Sequence, residues 1–183
     1  MIAILWASPN HDGLTAACAH AAEKGIRNAG KECRLYQLNT LNINACKACG
    51  NGWGTCREGH VCQVKDGFQA LHEELKHVEA LVLVTPVYWG DMAEVAKNFV
   101  DRLRRCEALA REDSPFRDMP MVAVAAAGGS GNGTVTCMLQ MERLTQHMGM
   151  RLIDAIPVKR FTKEYQLKAI EGAASALCAA IGK

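Results

Sequence analysis

The stretch ALVLVTPVYWGDM, residues 80 to 92, opens on an unbroken apolar run and closes on two adjacent aromatics and a glycine. Alternation is absent from 80 to 86, so both side-chain rows must meet apolar surroundings, as in a strand covered on both faces. Directly after it, Met92, Val95, Ala96, Phe99, Val100 and Leu103 recur at the spacing of a helix with one apolar face. A buried strand feeding an amphipathic helix is the unit of a parallel sheet, because parallel neighbours need a crossover.

The same unit repeats on either side. Residues 2–7 form a second fully apolar run, and 14, 17, 18, 21, 22, 25, 26 and 29 trace a helical stripe that ends at Gly30. CRLYQL (33–38) reads as another strand, with Phe68, Leu71, Leu75 and Val78 marking its helix. Downstream, MVAVAAA (121–127) precedes a stripe through Cys137, Met141, Leu144 and Met148. RLIDAIPV (151–158) precedes Ile170, Ala173, Ala174, Leu177, Cys178 and Ile181. Five strands alternating with five helices predict one α/β domain over residues 1–183, a three-layer, doubly wound, five-stranded parallel sheet of order 2-1-3-4-5. Ligands of such sheets bind at the carboxyl ends of the strands near the switch point. That directs attention to residues 8–15, 86–92 and 128–133.

Composition agrees with a single core: 183 residues, 49% hydrophobic, can bury roughly 70% of the unfolded surface. Lysine and arginine number 21 against 19 acidic residues, without a like-charge block, which gives no reason to expect nucleic acid or a membrane surface as partner. The uncharged run 119–141 is interrupted by Gly128, Gly129, Ser130, Gly131, Asn132 and Gly133, and reads as strand, loop and helix start. MIAILWA lacks a charged leader and is too short for a signal peptide. A reducing cytoplasm is the expected compartment for the nine cysteines.

Each of the three loops has a ligand reading and a plain one. In SPNHDGLT (8–15), Ser8 and Thr15 offer hydroxyls, Gly13 permits close backbone approach, and the helix start favours an anion; a simple polar turn is the alternative. In PVYWG (86–90), Tyr88 and Trp89 would stack on a planar ring with backbone amides at its polar edge, or would merely cover the sheet. In GGSGNGT (128–134), Gly128, Gly129 and Gly133 leave room for a flat ring, with Thr134 as the expected N-cap, or make a flexible turn.

Between the second strand and second helix lies NACKACGNGWGTCREGHVC (44–62), inside a cysteine-rich loop at 44–66. Cys46, Cys49, Cys56 and Cys62, spaced C-x2-C-x6-C-x5-C among glycines, could hold a [4Fe-4S] cluster. Zinc, with His60 as a substitute ligand, a dithiol pair and free thiols are the alternatives. Cys18, Cys106, Cys137 and Cys178 fall on helical stripes and Cys33 at a strand edge, as small core residues. Lys97, Asp101 and Arg102 read as a solvated ion-pair face, and His72 and His77 receive no role.

Taken together, SPNHDGLT, TPVYWGDMAEVAKNFVDRL and GGSGNGT…MERLTQHMGM resemble the corresponding loops of the NADPH-dependent FMN reductase family within the flavodoxin-like fold, over residues 1 to about 155. The cysteine loop resembles that of its iron-sulfur flavoprotein branch. The phosphate loop carries Asn10 where the family commonly has a basic residue and Leu14 where it has asparagine, and the third cysteine stands four residues later than in that branch. The resemblance implies FMN on Ser8, Asn10, Gly13, Leu14, Thr15, Pro86, Val87, Tyr88, Trp89, Gly90, Gly128, Gly129 and Gly133. It implies a flavin-dependent oxidoreductase without a dedicated catalytic side chain. The expected donor is NAD(P)H, the acceptor a redox partner or a small molecule, and the assembly a homodimer or homotetramer. The other outcomes are a cluster-free NAD(P)H-dependent FMN or quinone reductase and a zinc-stabilised binding module without redox chemistry.

Overall fold

The run at 80–86 becomes the middle of the sheet, and every residue in it is buried. The computed structural model describes residues 1–183. In chain order the elements are β1 (Ile2–Trp6), α1 (Leu14–Asn28), β2 (Cys33–Gln37), α2 (Gly67–Leu75), β3 (Ala80–Tyr88), β4 (Asp91–Met92), α3 (Glu94–Glu107), β5 (Pro120–Ala127), α4 (Thr134–Met148), β6 (Arg151–Lys159) and α5 (Lys163–Ala179). The long strands pair in parallel in the order β2-β1-β3-β5-β6. This is the expected order 2-1-3-4-5 with one addition, the two-residue β4, which folds back antiparallel on the end of β3 and shifts the numbering. No helix is long and apolar enough to cross a membrane.

The sheet divides the core. Phe68, Leu71, Phe99, Leu103, Met141 and Leu144 place α2, α3 and α4 on one face, and Ala19, Ile26, Ile170 and Leu177 place α1 and α5 on the other. Strands buried on both faces are the physical reason the apolar runs are continuous. Cys18, Cys106 and Cys137 lie wholly inside this packing, and burial pushes each thiol up to about 12. They are protonated and unreactive at neutral pH.

Close approach of α1 to α5 depends on Gly25. A Cβ there would overlap the Glu171 carbonyl, while Ser175 Oγ donates to the Gly25 carbonyl at 3.0 Å. The obstruction is helix backbone, which cannot rotate away. Gly25→Ala is expected to cost about 1–3 kcal/mol in urea unfolding through overpacking, despite alanine's better helix propensity.

Candidate functional site

Two groups of loops leave the carboxyl edge of the parallel sheet. The first surrounds a cleft between the β3–β4 turn and the loop after β5. At that turn Val87 pairs with Met92 and Tyr88 with Asp91, leaving Trp89 and Gly90 as the two turn residues, with φ +53° and +81°. Two positive φ angles in a two-residue hairpin define a type I′ turn, which ordinarily takes Asn, Asp or Gly first. Trp89 is thus held in a left-handed conformation that costs roughly 1–2 kcal/mol, and its side chain is fully exposed at the cleft rim. Val87 lines the cleft and Tyr88 is half exposed beside it. Pro86 departs from expectation. It lies in the sheet opposite Ala126 and has no N–H to offer a ligand.

The opposite wall is residues 127–133, and the cleft holds about 400 Å³, within the usual range for small-molecule sites. Gly90 and Gly133 touch across its base, where a Cβ on Gly133 would stand 2.7 Å from the Gly90 Cα. Thr136 Oγ1 bridges the same two residues, 2.7 Å from the Gly90 carbonyl and 2.9 Å from that of Gly133. Gly128 and Gly129 face open space. Gly133, at φ +79°, is the N-cap of α4; Thr134 instead sits in its first turn, buried. The aliphatic stem of Lys159 lies against Gly131. The bridge made by Thr136 was not signalled by spacing, because Gly90 lies 46 residues earlier in the chain.

At the start of α1, Gly13 is the N-cap and no side chain caps the helix. Its unpaired amides and the helix dipole favour an anion. Ser8 Oγ accepts from the Asn10 N–H at 3.2 Å, and Gln37 Nε2 donates to the Ser8 carbonyl at 2.8 Å, fixing the loop. Ser8 and Thr15 are buried, Leu14 is half-buried and Asn10 is exposed. A Cβ on Gly13 would meet Asn10 Cβ at an ordinary 3.5 Å. The protein alone does not demand glycine there.

The second group is the cysteine loop. Cys46, Cys49, Cys56 and Cys62 all line one cavity, joined by Arg102, Arg105 and Cys106 of α3. Space between the lining atoms totals about 330 Å³ including the mouth, of which only about 20 Å³ accepts the centre of a water molecule. Gly50 and Gly52 have positive φ, so the loop turns sharply between Cys49 and Cys56. No three His, Cys, Asp or Glu side chains lie close enough to hold one metal ion; a tetrahedral zinc would draw its thiolates to roughly 3.8 Å of one another. His60, the substitute zinc ligand, is engaged elsewhere, with Nδ1 2.7 Å from the Cys106 carbonyl. Four thiols around one cavity with two guanidiniums in its wall is a donor set and a charge that suit an anionic iron-sulfur cube; the room requires the loop to ease outward.

Arg102 corrects the sequence reading. Lys97 and Asp101 do make an exposed pair at 2.6 Å, but Arg102 is 1% exposed and pairs with Asp66 at 2.7 Å. Its guanidinium also lies 4.3 Å from the Phe68 ring. Burial alone would raise the Asp66 carboxyl. Hydrogen bonds from Arg102 and from the Asn44 and Phe68 N–H groups prevail and hold it well below the usual carboxylate range. His72 is likewise not idle: Nε2 is 2.6 Å from Glu107 Oε1 in the core, and Ser114 Oγ donates to the other oxygen at 2.8 Å.

The profile of the NADPH-dependent FMN reductase family matches residues 1–160. The iron-sulfur flavoprotein MJ1083 of Methanocaldococcus jannaschii is 27% identical over 134 residues, 73% of this chain and 65% of that protein. An iron-sulfur flavoprotein of Archaeoglobus fulgidus is 30% identical over 79 residues, 43% of this chain and 37% of that protein. The chain thus spans less than two thirds of the length of these curated relatives. Among solved structures, an NAD(P)H:quinone oxidoreductase from Methanothermobacter marburgensis superposes with a TM-score of 0.64 at 17% identity, covering 96% of this chain and 94% of that one. A flavodoxin from the domain Archaea does so with 0.63 at 16%, covering 98% and 97%. The sheet order, the loops at its carboxyl edge and the match over residues 1–160 agree: the chain belongs to the NADPH-dependent FMN reductase family.

Proposed function

We propose that this protein is an FMN-dependent oxidoreductase that couples a flavin in the cleft to a [4Fe-4S] cluster held by Cys46, Cys49, Cys56 and Cys62. The observation that carries the reading is that the four loop cysteines line one cavity with Arg102 and Arg105 in its wall. FMN would supply hydride and single-electron chemistry and the cluster single-electron transfer. The chain's own part is placement. The uncapped start of α1 with Ser8, Asn10, Gly13, Leu14 and Thr15 receives the phosphate. Val87, Trp89 and Gly90, with Tyr88 beside them, face Gly128, Gly129 and Gly133 across the ring site.

NAD(P)H is the donor that the family description suggests, and a small-molecule acceptor or a redox protein takes the electrons. A homodimer or homotetramer would cover Trp89, Val135 and Leu139, which expose apolar surface on the turn and α4. Anaerobic purification, with flavin, iron, acid-labile sulfide and zinc measured per chain, tests the whole. About four irons and four sulfides per chain are expected. One FMN without iron identifies the cluster-free NAD(P)H-dependent reductase, which the tight cavity favours; one zinc without flavin identifies a binding module.

Trp89 gives a local test. Glycine takes positive φ without strain, so Trp89→Gly should leave stability unchanged or slightly raised. It should also weaken FMN binding about three- to tenfold through lost stacking. Quenching of flavin fluorescence on titration reads the second effect, and equal affinity in the variant would remove Trp89 from the site.

A further inference from the structure

The cysteine loop is closed at its base by α3. Asn98 Nδ2 donates to the Ile43 carbonyl at 3.3 Å, and one turn later Arg102 Nη1 donates to the Asn44 carbonyl at 3.0 Å. Arg102 Nη2 reaches the other end of the loop, 3.3 Å from both the Val64 carbonyl and the Cys62 Sγ. Asp66 completes the knot. Its Oδ2 takes Arg102 Nη1 at 2.7 Å and the Asn44 N–H at 3.0 Å, and its Oδ1 caps α2 through the Phe68 N–H at 3.0 Å. One buried guanidinium therefore ties both ends of the segment 44–66 together and touches a cysteine sulfur. Arg102 Nε is buried without a partner in the wall of the same cavity.

We propose that Arg102 is the positioning residue of the cysteine site: it clamps the base of the loop and donates a hydrogen bond to the Cys62 thiolate that raises the reduction potential of the bound cluster. The second half rests on the cluster reading above; the first does not. Adding an electron deepens the negative charge shared by the thiolates. A fixed cation and an N–H···S bond therefore stabilise the reduced state more than the oxidised one. A guanidinium can do both because it presents two nitrogen edges in a rigid plane.

Three proteins decide it: wild type, Arg102→Lys and Arg102→Gln. Lysine keeps the charge near Asp66 but cannot span Asn44, Val64 and Cys62 at once. After anaerobic loading, the midpoint potential is expected to fall in Arg102→Lys and further in Arg102→Gln, with iron per chain intact at least in the lysine variant. In metal-free protein, trypsin cleavage after the exposed Lys47 and Arg57, scored against cleavage elsewhere in the same digest, should rise about tenfold in Arg102→Gln as the open loop becomes populated. That internal ratio separates local opening from general unfolding. Unchanged potentials in loaded variants overturn the tuning, and an unchanged cleavage ratio overturns the clamp. A wild type that takes up no iron overturns the cluster reading and the tuning with it, while the digest still decides the clamp.

Discussion

Asp66→Ala is expected to lower the stability of the folded protein by about 3–5 kcal/mol, because it leaves the guanidinium of Arg102 buried without its counter-charge. Both side chains are 1% exposed, so water cannot take over the role of the carboxylate. Loss of the α2 N-cap contributes about 1 kcal/mol of that total. Urea unfolding at neutral pH measures it, and a loss within 1 kcal/mol would show that the pair stabilises nothing. Asp66→Asn keeps an oxygen for the Phe68 N–H and should lose less. The pH dependence has a definite sign. A carboxyl depressed in the folded state stabilises fully above its unfolded pKa of about 3.9 and loses that contribution as pH falls through the folded value. The gap between wild type and Asp66→Ala should thus stay flat from pH 7 to about pH 5 and close only in stronger acid.

Gly133→Ala should weaken FMN binding about tenfold to a hundredfold, equivalent to about 1.4–2.8 kcal/mol. Two effects combine. Alanine at φ +79° is strained, and its methyl would meet the Gly90 Cα at 2.7 Å, where neither partner can move without displacing a strand end or a helix start. The turn and the loop after β5 are then pushed apart at the point where Thr136 binds both carbonyls. Titration of the flavin-free variant, alongside its thermal unfolding, checks this. Wild-type affinity would show that the contact does not set the width of the cleft.

How much of this was legible in the sequence follows from the range of the interactions. The long strands announced themselves because burial on both faces forbids alternation, and the helices because one face must be apolar. The β3–β4 hairpin left no such mark: β4 is two residues long, and Trp89 occupies a turn position where side chains other than Asn or Asp are rare. Arg102 misled for a different reason. Its neighbours Lys97 and Asp101 pair at i, i+4 on the helix surface as spacing suggests, but the partner of Arg102 lies 36 residues earlier, beyond any local period. The four loop cysteines were visible as a cluster in sequence. That Cys106 shares their cavity from a rigid helix was not, because on the α3 stripe it is indistinguishable from a core residue.

The groups that close the cysteine segment are Asn98, Arg102, Asp66 and Asn44, and of the four loop thiols only Cys62 touches them. In zinc-finger peptides the metal is the fold's keystone, and its removal leaves an unfolded chain. Here the enclosure is closed by amide, carboxylate and guanidinium contacts. Both ends of the segment are therefore held by polar contacts of the chain itself, and the closure of the loop does not depend on a metal.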